Sequence, residues 1–148
     1  MIKAKTLLFL IFLAVIALVL SSLLLKIEYK DVVIVGGKTF LVKTADTDDE
    51  RMLGLSGTKK LSTREGMFFV FSRDARHSFW MKDMLFSIDI IWIDKNFEIV
   101  HIERDVNPET FPKVFGGEVE SRYVLEILSG QAEQLNLKIG DSVTFIKK

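Results

Sequence analysis

Two acidic side chains stand inside apolar runs. Asp89 interrupts Ile88-Asp89-Ile90-Ile91-Trp92-Ile93, and Glu126 interrupts Val124-Leu125-Glu126-Ile127-Leu128. In an extended chain alternate residues share a face, so Asp89 joins Ile91 and Ile93, and Glu126 lies between Val124 and Leu128. Both opposite faces are apolar as well, which predicts burial for both acids. A buried carboxylate needs a cation or several donors; without them it keeps its proton instead. Arg51 and Lys82 are the natural cations, and Trp80, two positions before Lys82, can line the same strand face. One reading is a pocket of Arg51, Trp80, Lys82, Asp89 and Glu126, with the indole as floor and the charges orienting a small polar ligand. Another is an ion-pair network that only holds the fold. A third uses Asp89 and Glu126 as a catalytic acid and base on saccharides, which requires that their environments separate their pKa values.

His77, Met81 and Met84, with Met67 and His101 elsewhere, raise metal binding, since imidazole and thioether ligands suit copper. Against it, Met81 and Met84 do not share a strand face, and methionine commonly fills irregular core gaps. His101 has the parity of Phe97 and Ile99 and reads as a core histidine. Gly54-Leu55-Ser56-Gly57 brings its second glycine one place too early for a serine-nucleophile elbow. Gly36-Gly37 and Gly116-Gly117 lack the spacing of a nucleotide-binding loop. No cofactor is expected.

The elements that must position these residues are short. Val32 to Val35 and Thr39 to Val42 flank Gly36-Gly37, a hairpin pattern. Thr47 and Glu50 have capping-box spacing at the start of a helix that Gly54 and Gly57 punctuate. Gly66 to Phe71 reads as a buried strand, His77 to Met81 as a separate one, and Ile88 to Ile93 with Phe97 to Glu103 as a second hairpin around Asp94-Lys95-Asn96. Asn107 to Gly117, with both prolines, reads as a long loop. Tyr123 to Leu128 is a strand, Ser129 caps a short helix through Leu135, and Gly140-Asp141 turns into a last strand over Ser142 to Ile146. The expected class is α+β, mostly β: a mixed or antiparallel sheet able to curl into a small barrel, with two or three short helices.

The 148 residues carry 20 basic and 20 acidic side chains and no cysteine. Thiolate metal sites, disulfides and cysteine nucleophiles are therefore excluded, and the balance gives no basic nucleic-acid footprint. Residues 1–26 differ from the rest. Leu7 to Leu25 is uncharged, and as a helix would reach about 28 Å, close to the roughly 30 Å hydrocarbon core of a bilayer. Its length favours an anchor over a cleaved signal peptide, whose apolar core is shorter. Lys3 and Lys5 before the run favour an inside N-terminus. A single globular domain over residues 27–148 is then expected outside the cytoplasm at the cell membrane, touching the bilayer through residues 7–25 and binding a small polar ligand or an envelope protein, with an envelope scaffold as a further alternative.

Arg51-Met52-Leu53-Gly54-Leu55, Gly66-Met67-Phe68-Phe69-Val70-Phe71, Phe79-Trp80-Met81-Lys82, Ile88-Asp89-Ile90-Ile91-Trp92-Ile93-Asp94 and Val124-Leu125-Glu126-Ile127, in that order, resemble the domain-of-unknown-function family one hundred and ninety-two over roughly residues 30–147. Ser56, Asp83-Met84 and Ser87 stand where that family often has methionine, Asn-Thr and proline. The resemblance implies a compact, mostly β domain, often behind a signal or anchor. It lends no catalytic residues.

Overall fold

The computed structural model describes residues 12–16 and 31–148. Residues 12–16 are helical; the rest of the anchor predicted from the sequence lies outside the described residues. Among the described residues no helix is long and apolar enough to cross a membrane.

From Asp31 onward the chain is mostly β. Strands β1 (Asp31–Val35) and β2 (Lys38–Ala45) form the expected hairpin. Gly36 and Gly37 make its turn with φ of +56° and +74°, values that L side chains resist. Helix α1 (Asp48–Leu53) then carries the chain to β3 (Glu65–Trp80), which pairs parallel with β2. β4 (Ile88–Ile93) and β5 (Ile99–Val106) follow, then a 3₁₀ turn at Pro108–Thr110, β6 (Val114–Leu128), helix α2 (Gln131–Gln134) and β7 (Val143–Ile146). The seven strands form one mixed sheet in the order β5-β4-β6-β3-β2-β1-β7.

The sheet curls into a half-barrel. Its outer strands approach each other where Glu98 bridges to Ser142, Ile99 N donates to Asp141 O at 2.9 Å, and Val143 N donates to Phe97 O at 2.8 Å. One apolar cluster fills the concave side, with Val33, Phe40, Phe68, Ile91 and Leu125 at its centre. α2 plugs one end through Ala132, and Leu137 follows it inward.

A second cluster lies on the other face of the sheet and includes Met67, Phe69, Ile90, Trp92 and Val124. Six consecutive residues of β4 are buried because each face of that strand has its own core. The cover of the second core comes from the β3–β6 ribbon itself. Val70 opposes Tyr123, yet Ala75 opposes Ser121, so β3 carries surplus residues at a bulge. Arg76 opposes Glu120, yet Ser78 opposes Gly116, so the next surplus lies on β6. Bulges bend strands and raise their twist. Here the distal ribbon folds back until Phe71 stacks on His77 at 3.4 Å between centroids and Phe69 meets Phe79 edge-on at 4.9 Å. Arg122 and Asp74 pair at 2.8 Å beside the bend.

Trp92 anchors the folded ribbon. It is fully buried, and its Nε1 donates to His77 O at 2.8 Å. Gly116 passes directly over its ring: a Cβ there would stand 2.4 Å from Trp92 Cζ2.

Four local expectations change. His77 to Met81 is no separate strand, because bulges rather than a loop make the bend within β3. The predicted loop from Asn107 shrinks to a 3₁₀ turn, since β6 begins at Val114 by pairing with Trp80. β5 starts at Ile99, because Asp94 Oδ1 accepts from Asn96 N and Glu98 N and Phe97 turns at φ +61°. Gly130, not Ser129, precedes α2, while Ser129 Oγ donates to Asp105 Oδ1 at 2.7 Å.

Candidate functional site

The folded-back ribbon does not cover the second core completely. Between it, the sheet and α1 lies a cavity of about 460 Å³, within the size range of small-molecule pockets.

α1 is one wall. Thr47 accepts from Glu50 N at 3.3 Å, and the Glu50 carboxylate accepts from Thr47 N at 3.1 Å, so the capping box predicted from the sequence is complete. The Thr47 hydroxyl, then the backbone N–H groups of Thr47 and Asp46, hold the Glu50 carboxyl below its ordinary pKa. Gly54 ends the helix at φ +52°, with Phe69 Cζ 3.5 Å from where a Cβ would stand. The helix end thereby sits close against the sheet. Arg51 points back from the last turn: Nη1 donates to Val70 O at 2.7 Å, Nη2 pairs with Asp48, and the guanidinium lies 5.4 Å from the Phe71 ring centre.

Leu55 and Ser56 continue this wall, and Ser56 Oγ ties it to the next loop by donating to Lys82 O at 2.9 Å. Met84 comes from that loop, and Ser78, Phe79 and Trp80 from the ribbon. Met52, Leu53 and Trp80 are apolar yet at least half exposed, and they border the opening.

Glu126 lies on the sheet side of the cavity. In the register it stands between Met67 of β3 and Ile90 of β4. It is 5% exposed, and among the described residues nothing hydrogen-bonds its Oε2. Burial without a partner favours the neutral acid and pushes its pKa from 4.5 to about 8. At neutral pH the base of the cavity therefore presents a protonated carboxyl.

Of the five residues grouped from the sequence, the fold brings Arg51, Trp80 and Glu126 to one cavity. Lys82 is adjacent but outside the lining; its Nζ lies 5.9 Å from the Trp80 ring centre. Asp89 is on the concave side of the sheet and leaves the group. It is fully buried there, and its oxygens accept from Asp105 N at 2.9 Å and Ala132 N at 2.8 Å. Backbone donors, not Arg51 or Lys82, satisfy it. The saccharide-hydrolysing pair fails for the same reason: carboxyls on opposite faces of one sheet cannot flank one bond.

The metal candidates are dispersed into packing. Met81 and Met84 are buried in the second core, and the His77 ring is stacked on Phe71. Desolvation lowers the His77 pKa, and among the described residues nothing hydrogen-bonds its buried Nε2. Among the described residues no three His, Asp or Glu side chains converge as a metal set. His101 is half-buried against Trp92 and lies 3.0 Å from Glu103. The reading from sequence missed Phe69, Phe79, Leu55, Met52 and Leu53. The first three look like any core residue in a linear chain, while the adjacent Met52 and Leu53 at a helix end were a usable sign of an apolar rim.

The family model DUF192, described as "Uncharacterized ACR", matches residues 32–145. A UPF0127 protein of Thermococcus sibiricus is 34% identical over 104 residues, which cover 69% of this chain and 64% of that relative, so the match spans less than two thirds of the relative's length. A crystal structure from Sinorhizobium meliloti 1021, described as a candidate transcription regulator, superposes with a TM-score of 0.73 at 24% identity, covering 78% of this chain and 93% of that one; the likeness is one of fold. A protein of unknown function from Novosphingobium aromaticivorans has a TM-score of 0.71 at 28% identity, covering 77% and 81%.

Proposed function

The chain belongs to the DUF192 (UPF0127) family, whose activity is uncharacterised, and we propose that this member is a membrane-tethered binding domain outside the cytoplasm. The observation that carries the reading is Glu126, a buried acid lining an otherwise mainly apolar cavity, whose Oε2 has no hydrogen-bond partner among the described residues. A polar group kept in such a place costs stability, and a ligand that satisfies it recovers that loss on binding. The ligand fitted by these walls has an apolar body and one polar group, a narrower class than the small polar molecule expected from the sequence. The tether is the uncharged run from Leu7 to Leu25, and only residues 26–30 separate it from β1.

A fragment library screened by thermal shift tests the binding role. Saturable stabilisation is expected, and Ser56→Phe, which places a ring in the cavity, abolishes it. A library without hits, or hits unaffected by that substitution, removes the reading. Protease applied to intact cells tests the location separately: digestion of the domain is expected, and full protection reverses the orientation.

A further inference from the structure

The charged residues on the cavity wall are Asp48, Arg51 and Glu126. Asp48 and Arg51 pair with each other, and Arg51 also donates to Val70 O and lies over Phe71. Their charges cancel, and the cation is already engaged. Glu126 has no such complement. The strands beside it present Met67 and Ile90, the ribbon presents Phe79, the α1 end presents Leu55, and the following loop presents Met84. None of these carries a titratable group. Ionised, the lining would hold one uncompensated negative charge in an apolar surround.

We propose that the cavity takes a small organic monocation, a protonated primary amine on an apolar or aromatic body, with Glu126 as its counter-ion. This deepens the binding role proposed above and rests on it. The ammonium supplies both the charge and the donors that the fold withholds from Glu126. Phe69, Phe79 and Trp80 also line the cavity, and aromatic rings attract organic cations. A carboxylate ligand fits less well, because it must compete with Asp48 for Arg51 and would place a second acid near the first. A neutral alcohol leaves the buried carboxyl protonated.

The reaction is a proton exchange. The Glu126 carboxyl and the ammonium give a carboxylate–ammonium pair and release one proton to solvent. Binding of the amine therefore strengthens with pH until Glu126 of the free protein ionises by itself, at about 8. An anion that needs the neutral carboxyl follows the opposite trend.

Calorimetry on the full chain in non-ionic detergent separates these cases. The probes are 2-phenylethylammonium, 2-phenylethanol and phenylacetate, each titrated near pH ~6.5 in two buffers of different ionisation enthalpy. The ammonium is expected to bind best and to release about one proton, with affinity rising roughly tenfold per pH unit below the Glu126 pKa. Glu126→Gln, which is isosteric with the neutral acid, is expected to lose the proton release and the preference while still binding 2-phenylethanol. The wild-type proton count stands even if that variant does not fold. Tighter binding of the alcohol or of phenylacetate, or ammonium binding without proton release, overturns the amine assignment but leaves a ligand pocket. If none of the three binds, the amine assignment falls, and the fragment screen decides the pocket by itself.

Discussion

Asp89 and Glu126 stand one register step apart on neighbouring strands and point to opposite faces of the sheet. Asp89 lies opposite Ile127, and Ile90 lies opposite Glu126. Asp89 accepts from two backbone N–H groups, Asp105 on the neighbouring β5 and Ala132 on α2, whereas Glu126 Oε2 faces no donor among the described residues. Two similar acids in similar greasy segments thus have opposite consequences: one fastens the fold and the other burdens it.

Removing the fastener is expected to be costly. Asp89→Ala leaves the buried Ala132 N–H unpaired and takes its acceptor from the part-buried Asp105 N–H, so α2 loses its tie to β4. The expected loss is about 2–4 kcal/mol, read from urea unfolding at neutral pH. Asp89→Asn retains one acceptor and should lose less. Equal stability of wild type and Asp89→Ala would contradict the bonding described here.

Glu126 predicts a stability that falls with pH. The unfolded acid titrates near 4.5 and the folded one at about 8, so the native state binds the extra proton between those values. The stabilisation is fully present below the lower pKa and is lost as pH rises through the upper one, roughly 1.4 kcal/mol per pH unit within the window. Glu126→Gln should flatten this part of the profile and make the variant the more stable protein at alkaline pH. His77 acts in the other direction. Its folded pKa is depressed by burial, so its contribution is full above 6.5 and is lost as pH falls through the lower, folded value. His77→Phe should keep the stack on Phe71 and reduce the acid sensitivity.

The folded ribbon depends on Gly116. Its φ is +72°, and a Cβ would meet Trp92. Gly116→Ala should therefore unseat the ribbon and cost about 3 kcal/mol, combining backbone strain with overpacking. In a Trp80→Phe background, Trp92 becomes the sole indole, and its emission should shift to the red in the alanine variant.

The α1 wall can be loosened without touching the cavity lining. Thr47→Ala removes the side-chain half of the capping box and should cost about 1 kcal/mol. The amides of Arg51 and Gly54, bonded to Thr47 O and Glu50 O, should then exchange faster with deuterium while the core of β4 is unchanged. Unaltered exchange at both would show that tertiary contacts, not the cap, hold this helix.

Local patterns were legible wherever neighbouring residues decide the outcome. The Gly-Gly hairpin, the capping box and the burial of β4 follow from turn geometry, side-chain reach and apolar content within a few residues. The same local reasoning correctly marked both acids as buried. The run from Leu7 to Leu25 is likewise a property of composition, and its charge-free length is what makes it a membrane expectation.

The sheet order, the bend of β3 onto itself and the separation of Asp89 from Glu126 depend on partners far away along the chain. Bulges have no strong composition mark, so β3 read as two strands, and the cavity formed by its return could not be anticipated. Face assignment within one strand is a matter of parity, but which faces of two strands coincide depends on register, and register is set only when the strands pair. By itself the sequence determined that two acids are buried among apolar side chains; the tertiary fold decided which of them received donors and which was left facing a cavity.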